Sequence, residues 1–307
     1  MYDIKEPMNP ESNPFAFAQS NFISQGLRCD GRLYLPAESE KPPVVIMAHG
    51  FAAQMDFGLF PFARRFLTQG LAVFMFDYRC FGKSEGTPKN LVSPARHVAD
   101  WQAATRHVKA LSSIDPSRLF LWGSSFSGGH ALVTAAKEPG ISGVIAQIPF
   151  IDGPSTIRKV GMKNALMGAI AGMRDVFRLL TFRAPYTIPV IGKPDTFAAL
   201  NTPEAYPGYK RLIPEESDWQ NACPARICLT LPLYRPGIEA RKATCPVLII
   251  GASEDSLIDM DMIRKRAAKI PDCRLEILEC GHFDVYAGPM FEANVSLQEA
   301  FLKKHLQ

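Results

Sequence analysis

The stretch that decides the fold is Arg118-Leu119-Phe120-Leu121-Trp122-Gly123-Ser124-Ser125-Phe126-Ser127-Gly128-Gly129. After Arg118, its first residues form a continuous apolar run, which is the pattern of a strand buried on both faces of a parallel sheet. Every residue after the run except Phe126 is small, and helical spacing then continues over residues 127–137. The stretch therefore predicts a strand, a tight turn at Ser125 and a helix in immediate succession.

The same alternation of strand and helix runs through most of the chain. Largely apolar runs predict further strands at residues 44–48, 71–77, 143–147 and 246–251, and a strand is also predicted at residues 274–278. Helical spacing predicts helices over residues 60–70, 94–111, 261–269 and 289–305. Because strands joined by helices form parallel sheets with right-handed crossovers, we predict an α/β fold with a mostly parallel, doubly wound sheet.

Two segments depart from this alternation. Residues 15–36 alternate apolar and polar side chains around Arg28-Cys29-Asp30-Gly31, which predicts an N-terminal antiparallel hairpin that turns at these four residues. Residues 153–240 lack strand periodicity, and we predict that they form an inserted helical lid. The two parts of the core are then residues 1–152 and 241–307, within the usual size of one large α/β domain.

The predicted lid contains an apolar, methionine-rich segment over residues 160–182. A lid excludes water from the site that it covers. Its large apolar side chains are candidates for lining a substrate pocket, and packing on the core explains them equally well. The candidates are Met162, Met167, Met173, Phe177 and Phe182.

Two serine motifs compete as the candidate nucleophile. The literal pattern G-x-S-x-G occurs at Gly82-Lys83-Ser84-Glu85-Gly86, but a loop sequence follows it. A nucleophile elbow needs a buried strand directly before the serine and a helix directly after it, because the strained turn projects the hydroxyl. Ser125 meets this requirement, although Ser127 replaces the second motif glycine. Ser127 and Ser124 fit the pattern less well, and the non-catalytic interpretation is a Gly/Ser-rich turn without chemistry.

A serine hydroxyl needs an imidazole to accept its proton and a carboxylate to orient that imidazole. In proteins with a nucleophile elbow these groups follow in the order serine, acid, histidine, at the ends of successive strands. Asp255 follows the predicted strand 246–251, and His282 follows the predicted strand 274–278. We therefore predict a catalytic triad of Ser125, Asp255 and His282.

Other residues of the same types have simpler explanations. Asp259 and Asp284 are interpreted as helix caps or solvated charges, and Glu254 points away from the site if its neighbour Asp255 points into it. His49 precedes the serine and adjoins a glycine, which suits support of an oxyanion loop better than proton transfer. The remaining histidines are interpreted as structural or solvated: His97, His107, His130 and His305.

The tetrahedral intermediate of acyl transfer needs hydrogen-bond donors that are aimed in advance at its oxyanion. We predict the backbone N–H groups of Phe126, directly after the nucleophile, and of Phe51, which follows His49-Gly50 at a strand end. The two phenylalanine rings are also candidates for the wall of an acyl pocket, and core packing explains them equally well.

Composition argues against several other functions. The formal net charge is only +4 and the basic residues are scattered, which argues against a nucleic-acid partner. The cysteines number seven, and neither they nor the histidines show the spacing of a zinc site. We therefore predict reduced thiols, and neither a metal nor another cofactor.

The expected location is the cytoplasm. Met1-Tyr2-Asp3-Ile4-Lys5-Glu6-Pro7 lacks the apolar region of a secretory signal, and no apolar stretch reaches the roughly 18 residues of a membrane span. The expected partner is a small-molecule acyl substrate. The oligomeric state stays open, with a homodimer as one alternative.

These motifs, taken in order, resemble the α/β-hydrolase superfamily from about residue 22 to residue 307. The resemblance is carried by His49-Gly50-Phe51, by the segment 77–86, by the elbow, by Ser253-Glu254-Asp255-Ser256-Leu257 and by the segment 281–286. More narrowly, the chain is similar to dienelactone-hydrolase-like proteins and fungal polyketide acyltransferases. It departs from the family pattern at Ser127 and at Cys80, where relatives usually have glycine, and neither change removes a catalytic group.

The resemblance implies an enzyme that cleaves esters, thioesters or amides, or that transfers acyl groups. The leading hypothesis is hydrolysis of an ester or thioester through an acyl-Ser125 intermediate. The first alternative is an acyltransferase in which an alcohol or amine takes the place of water. A catalytically inactive binding protein with a hydrolase fold is the alternative from another class.

Overall fold

The computed structural model describes residues 16–37 and 39–306. Phe15 of the predicted hairpin and the N-terminal segment 1–7 lie outside the described residues. The strands are β1 (Phe17–Gln19), β2 (Phe22–Ser24), β3 (Leu27–Cys29), β4 (Gly31–Tyr34), β5 (Val44–Ala48), β6 (Ala72–Phe76), β7 (Leu119–Ser124), β8 (Gly143–Gln147), β9 (Thr187–Ile188), β10 (Cys223–Pro224), β11 (Val247–Ala252) and β12 (Cys273–Leu278).

Helices connect most of these strands. They are α1 (Phe60–Thr68), α2 (Pro94–Lys109), α3 (Phe126–Ala135), α4 (Gly153–Val160), α5 (Met162–Leu180), α6 (Ala205–Leu212), α7 (Ile227–Thr230), α8 (Pro236–Glu239), α9 (Met260–Ala267) and α10 (Gly288–His305). Each strand and helix predicted in the two core parts after residue 43 is present, with its ends shifted by at most two residues.

The main sheet has eight strands in the order β1-β4-β6-β5-β7-β8-β11-β12. The six strands from β6 to β12 in this order are parallel, and β4 pairs antiparallel with both β1 and β6. Strands β5, β6, β7, β8 and β11 are buried along their whole length, which explains their continuous apolar sequences. The predicted mostly parallel α/β sheet is confirmed.

Helices cover both faces of this sheet, so it is doubly wound. Along β5, Val44, Ile46 and Ala48 pack in the cluster that includes α2, α3 and α9, whereas Val45 and Met47 pack with α1 and α10. Alternate side chains of a strand point to opposite faces, so one apolar run supplies both layers of the core.

The N-terminal antiparallel hairpin is present, but its predicted turn was wrong. The turn lies at Gln25-Gly26, between β2 and β3, and residues 28–31 instead belong to β3, β4 and the single residue between them. Gln25 has φ 46° and Gly26 has φ 82°. A two-residue hairpin loop of this kind needs positive φ at both positions, and Gly26 adopts it without strain.

Residues 153–240, which we call the inserted segment, lie between β8 and β11 in the chain. They hold α4 to α8 and the short antiparallel pair of β9 with β10. Inside this segment Asp175 is buried and accepts hydrogen bonds from Nε of Arg226 at 2.6 Å and from the N–H of Tyr186 at 2.9 Å. Asp175 belongs to α5 and Arg226 directly precedes α7, so this ion pair connects the two helices.

Within residues 16–37 and 39–306, no helix combines the length and the apolar character that crossing a bilayer requires.

Candidate active site

Ser125 lies on the turn between β7 and α3. It has φ 55° and ψ −119°, in a region where a non-glycine residue is strained. Its N–H donates to the carbonyl oxygen of Gln147 at 2.9 Å, and its own carbonyl accepts from the N–H of Phe150 at 2.8 Å. Strand β8 and the loop after it therefore hold the strained turn that exposes the hydroxyl.

Small residues around Ser125 are required by close packing. A Cβ on Gly123 would overlap the backbone of Ser127, and a Cβ on Gly128 would lie 2.9 Å from the Cβ of Pro149. Ser127, which replaces the usual glycine, is fully buried, and its hydroxyl lies 2.7 Å from the hydroxyl of Tyr78. The departure from the motif is accommodated because this extra hydroxyl has a hydrogen-bond partner.

The structure brings the three predicted triad residues together. Nε2 of His282 lies 3.1 Å from Oγ of Ser125, and Nδ1 of the same ring lies 2.7 Å from Oδ2 of Asp255. Both Asp255 and His282 are buried. An imidazole in this position can accept the serine proton on one nitrogen while the carboxylate fixes its orientation through the other.

The second oxygen of the Asp255 carboxylate is also held in place. Oδ1 accepts hydrogen bonds from the N–H groups of Leu257 and Ile258, both at 2.8 Å. With His282 on Oδ2, this buried carboxylate has three donors, so it has hydrogen bonds to balance the loss of water. The N–H groups of Leu257 and Ile258, in the same loop as Asp255, therefore orient this carboxylate toward His282.

The competing acids lie elsewhere. Glu254 is exposed. Asp259 caps the N-terminus of α9 through a hydrogen bond of 3.1 Å from the N–H of Met262, as interpreted from the sequence. Asp284 accepts from the N–H of Gly281 at 2.9 Å.

The competing serines have structural contacts. Ser84, at the centre of the literal motif, is buried; it accepts from the N–H of Asp30 and donates to the carbonyl of Asp77, both at 2.8 Å. Ser124 accepts from Nε2 of Gln147 at 2.9 Å and lies 2.5 Å from the hydroxyl of Tyr286. The hydroxyls of Ser84 and Ser124 are engaged in these hydrogen bonds, and His282 is not among their partners.

The predicted oxyanion donors flank Ser125. Phe126 is the first residue of α3, where backbone N–H groups have no partner within the helix, and Phe51 follows β5 in a turn. The carbonyl of Phe51 accepts from the hydroxyl of Tyr209 at 2.9 Å, and that of Ala52 accepts from Nε1 of Trp219 at 2.8 Å. Two aromatic residues of the inserted segment thus donate hydrogen bonds to carbonyl groups of the loop that carries Phe51.

His49 lies beneath this loop. Its Nδ1 atom is 3.1 Å from the carbonyl oxygen of Gly50, and its ring meets the ring of Tyr78 edge-on at 4.7 Å. Complete burial lowers the pKa of His49 to about 3, so the ring is neutral near pH 7. These contacts place His49 against the loop that carries Phe51, and its supporting role stays a prediction.

A cavity of about 150 Å³ opens beside Ser125, between the sheet and the inserted segment. Most of its wall is apolar, and residues of α4, α5 and α7 form much of it. The wall includes Phe126, Phe150, Val160, Ala165, Ile227 and Leu257. Apolar pockets with few polar groups are typical of sites for small organic ligands.

The five pocket candidates of the predicted lid were wrong, because this cavity is lined by the other face of α5. All five side chains point outward: Met162, Met167, Met173, Phe177 and Phe182 are exposed. The face of α5 that meets the protein carries small residues, including Gly168, which lines the cavity. Met173 and Phe177 border a separate surface groove. Large side chains would not fit where α5 packs closely against α7.

A second, smaller cavity of about 30 Å³ lies on the other side of Ser125. It is lined by His282 and by apolar and aromatic side chains such as Phe57, Tyr209 and Leu212. Ser125 therefore stands between a larger cavity and a small one that also reaches the imidazole.

Two residues at this site were missed by the sequence analysis. Nζ of Lys159 donates to the carbonyl oxygens of Asp255 and Ile258, and the carboxylate of Glu204 accepts from the N–H groups of Ser256 and His282. Both belong to the inserted segment, far in sequence from the loops that they contact. No motif surrounds either residue, so no local signal could have identified them.

Within 16–37 and 39–306 no three histidine, cysteine, aspartate or glutamate side chains are grouped in a way that could hold a metal ion.

Comparison with known proteins agrees with this architecture. The family model described as "Serine aminopeptidase, S33" matches residues 39–282. The quorum-quenching protein AidA of Acinetobacter baumannii (strain MDR-ZJ06) is 34% identical over 95% of this chain and 96% of its own length. The polyketide transferase af380 of Aspergillus fumigatus is 28% identical over 91% of this chain and 96% of its own length.

A solved structure shares the fold. The α/β hydrolase GrgF from Penicillium sp. sh18 superimposes with a TM-score of 0.80, covers 95% of this chain and 99% of its own, and is 23% identical. The chain therefore belongs to the α/β-hydrolases of the serine aminopeptidase S33 family, and it is an enzyme.

Proposed function

We propose that this enzyme hydrolyses a carboxylic ester or thioester of a small molecule through an acyl-Ser125 intermediate. Amides are a less favoured substrate class for the same chemistry. The observation that carries the proposal is the hydrogen-bonded series from Asp255 through His282 to Ser125, with distances of 2.7 Å and 3.1 Å. Such a series activates a hydroxyl that is otherwise a weak nucleophile.

In the first half-reaction Oγ of Ser125 forms a bond to the substrate carbonyl carbon, while its proton passes to Nε2 of His282. The N–H groups of Phe51 and Phe126 donate to the oxyanion that develops. The bond from the carbonyl carbon to the leaving oxygen or sulfur then breaks, and His282 gives the proton to that leaving atom. Water next attacks the acyl-serine with His282 again as base, which releases a carboxylic acid and restores Ser125.

The two cavities suggest where the acyl group and the leaving group of the substrate bind on either side of Ser125. The leaving atom must be close to His282, which lines only the small cavity of the two. The acyl group then occupies the larger apolar cavity under α4 and α5. On this basis residues 153–240 act as a lid, and residues 1–152 and 241–307 form the catalytic core.

Acyl transfer is the second candidate. It is favoured by the apolar cavity, which limits access of water to the acyl-serine, and by relatives that are named polyketide transferase and acyltransferase. Other relatives are named thiohydrolase, which favours hydrolysis of a thioester. Both reactions share the acyl-Ser125 intermediate and differ in the group that removes the acyl chain.

The nucleophile is tested by labelling with a fluorophosphonate, which reacts with activated serines. Wild-type protein should be labelled, and Ser125→Ala should lose both labelling and turnover, with kcat lower by several orders of magnitude, about 10⁴-fold or more. Ser84→Ala is the matched control, because Ser84 sits in the literal motif without contact to His282; it should be labelled like wild type. Undiminished labelling of Ser125→Ala would contradict the proposal.

The fate of the acyl group is tested with thioester and ester substrates of increasing acyl length. Product partition is measured between the free acid and the ester formed with added small alcohols. Exclusive formation of the acid supports the hydrolase, whereas acyl products that grow with alcohol concentration support the transferase.

A further inference from the structure

Glu204 in the inserted segment contacts two catalytic loops at once. Oε1 accepts from the N–H of Ser256 at 2.8 Å and from its hydroxyl at 2.5 Å, and Oε2 accepts from the N–H of His282 at 2.8 Å. Ser256 directly follows Asp255. One carboxylate therefore bonds to the backbone beside the predicted acid and to the backbone of the predicted base.

The local sequence is adapted to this contact. A Cβ on Gly281 would lie 2.5 Å from Oε2 of Glu204, so only glycine allows the carboxylate to approach the N–H of His282. The hydroxyl of Ser256 also lies 2.7 Å from Oγ1 of Thr202, two residues before Glu204. Hydrogen bonds to an ionised carboxylate are shorter and stronger than those between neutral groups.

Lys159 donates hydrogen bonds to carbonyl groups of the loop that contains Asp255 and Ser256. Its Nζ lies 2.6 Å from the carbonyl oxygen of Asp255 and 2.8 Å from that of Ile258. The inserted segment thus presents an anion to the N–H of Ser256 in this loop and a cation to the carbonyl groups of Asp255 and Ile258. The carboxylate of Glu204 thus lies at the positive N–H end of a peptide dipole in this loop, and the ammonium group of Lys159 lies at the negative carbonyl end of two others.

We propose that Glu204 is a positioning residue, which aligns His282 with Asp255 and Ser125. This inference rests on the proposed function of the triad. Glu204 contacts the backbone of both partners, so it sets the separation of the base from the acid loop without reaching the substrate. A displacement of about 1 Å in a catalytic group can cost about 100-fold in rate.

The test is Glu204→Gln, which keeps the size of the side chain but replaces one acceptor oxygen by an NH₂ group. The amide must then face at least one N–H with a donor, so one of the two loops is released. We expect kcat to fall about 10- to 100-fold while KM changes about twofold or less, because substrate contacts are kept. The matched control is Glu216→Gln, an exposed glutamate in the same segment, which should behave as wild type.

A second measurement does not depend on turnover. The proton shared by Nδ1 of His282 and Oδ2 of Asp255 gives a far-downfield ¹H NMR resonance, which we expect in wild type and Glu216→Gln and expect to be shifted or lost in Glu204→Gln. An unchanged resonance together with unchanged kcat would overturn the inference. A wild type that is not labelled at Ser125 would sink the proposed function, while the resonance would still report on the positioning.

Thermal unfolding is measured for each variant. If Glu204→Gln lowers the unfolding midpoint, Ser256→Ala carries the test, since it removes one hydroxyl and keeps the backbone N–H. Its kcat should fall by a smaller factor, about 2- to 10-fold, at wild-type stability. A wild-type kcat in this variant would then count against the role of Glu204.

Discussion

Nδ1 of His282 lies 2.7 Å from Oδ2 of Asp255, although 27 residues separate them in the chain. The strands that precede them, β12 and β11, are parallel neighbours at the edge of the sheet, so their following loops meet at the same end. This contact favours Asp255 over Glu254, Asp259 and Asp284 as the acid of the proposed triad.

Asp255→Asn should lower kcat by about 10⁴-fold, because an amide no longer holds the required tautomer of His282 or stabilises its charged form. The measurement is kcat with the best ester or thioester substrate. Asp259→Asn serves as the control, because Asp259 caps α9 and Asn caps helices about as well as Asp. Equal activity of the two variants would refute the assigned acid.

Ala165→Leu should shorten the acyl chain that the enzyme accepts. Ala165 lines the larger cavity, and the added atoms reduce its volume, so kcat/KM should fall about 10-fold or more for long acyl chains and little for acetyl esters. Phe177→Ala, on the exposed face of α5, is the control and should keep the wild-type acyl preference. A changed preference in Phe177→Ala instead would show that the outer face contributes to the pocket.

Gly123→Ala should destabilise the protein by about 1–3 kcal/mol, because the added Cβ overlaps backbone atoms of Ser127 and Gly128 that cannot move without distorting the turn. Urea unfolding measures the free energy, and fluorophosphonate labelling reports whether Ser125 is still presented. Gly26→Asn should cost less, since its site is open and Asn tolerates positive φ. Equal losses would argue against the packing explanation.

Stability should fall as the pH drops from about 6.5 toward 3. Burial lowers the pKa of His49 and of His130 to about 3 from the ordinary value of 6.5, and it also lowers the pKa of His97. In this window the unfolded chain binds protons that the native state excludes. Burial raises the pKa of Asp77 to about 7 and also raises the pKa values of Asp56 and Asp100, which acts in the opposite direction. The lowered pKa values of His107 and His305 add to the effect of the three buried histidines.

The measurement is the free energy of unfolding in urea at several pH values between about 4 and 7. His130→Asn should reduce the slope by up to one proton, because it removes one of the buried neutral rings. Wild-type stability that stayed flat or rose as the pH fell through this interval would show that the buried histidines do not govern the response to acid.

Prediction from sequence succeeded where the pattern was local. The buried strand predicted before Ser125 and the helix predicted after it are both present, and they remain the reason for proposing this serine rather than Ser84. It failed at the hairpin, where Gln25-Gly26 supplies the positive φ angles and residues 28–31 do not form the turn. It also failed for the pocket residues of α5, because the sequence of this helix did not show which of its faces packs on the core.

By itself, the sequence determined the order of strands and helices, and so brought the loops of Ser125, Asp255 and His282 to one edge of a parallel sheet. That follows because parallel strands point the same way and their carboxyl ends lie together. Only the tertiary structure decided that small residues of α5 line the cavity and that Glu204 and Lys159 form hydrogen bonds to the loops of Asp255 and His282. Those contacts join residues 52 to 99 positions apart, and no local periodicity encodes such distances.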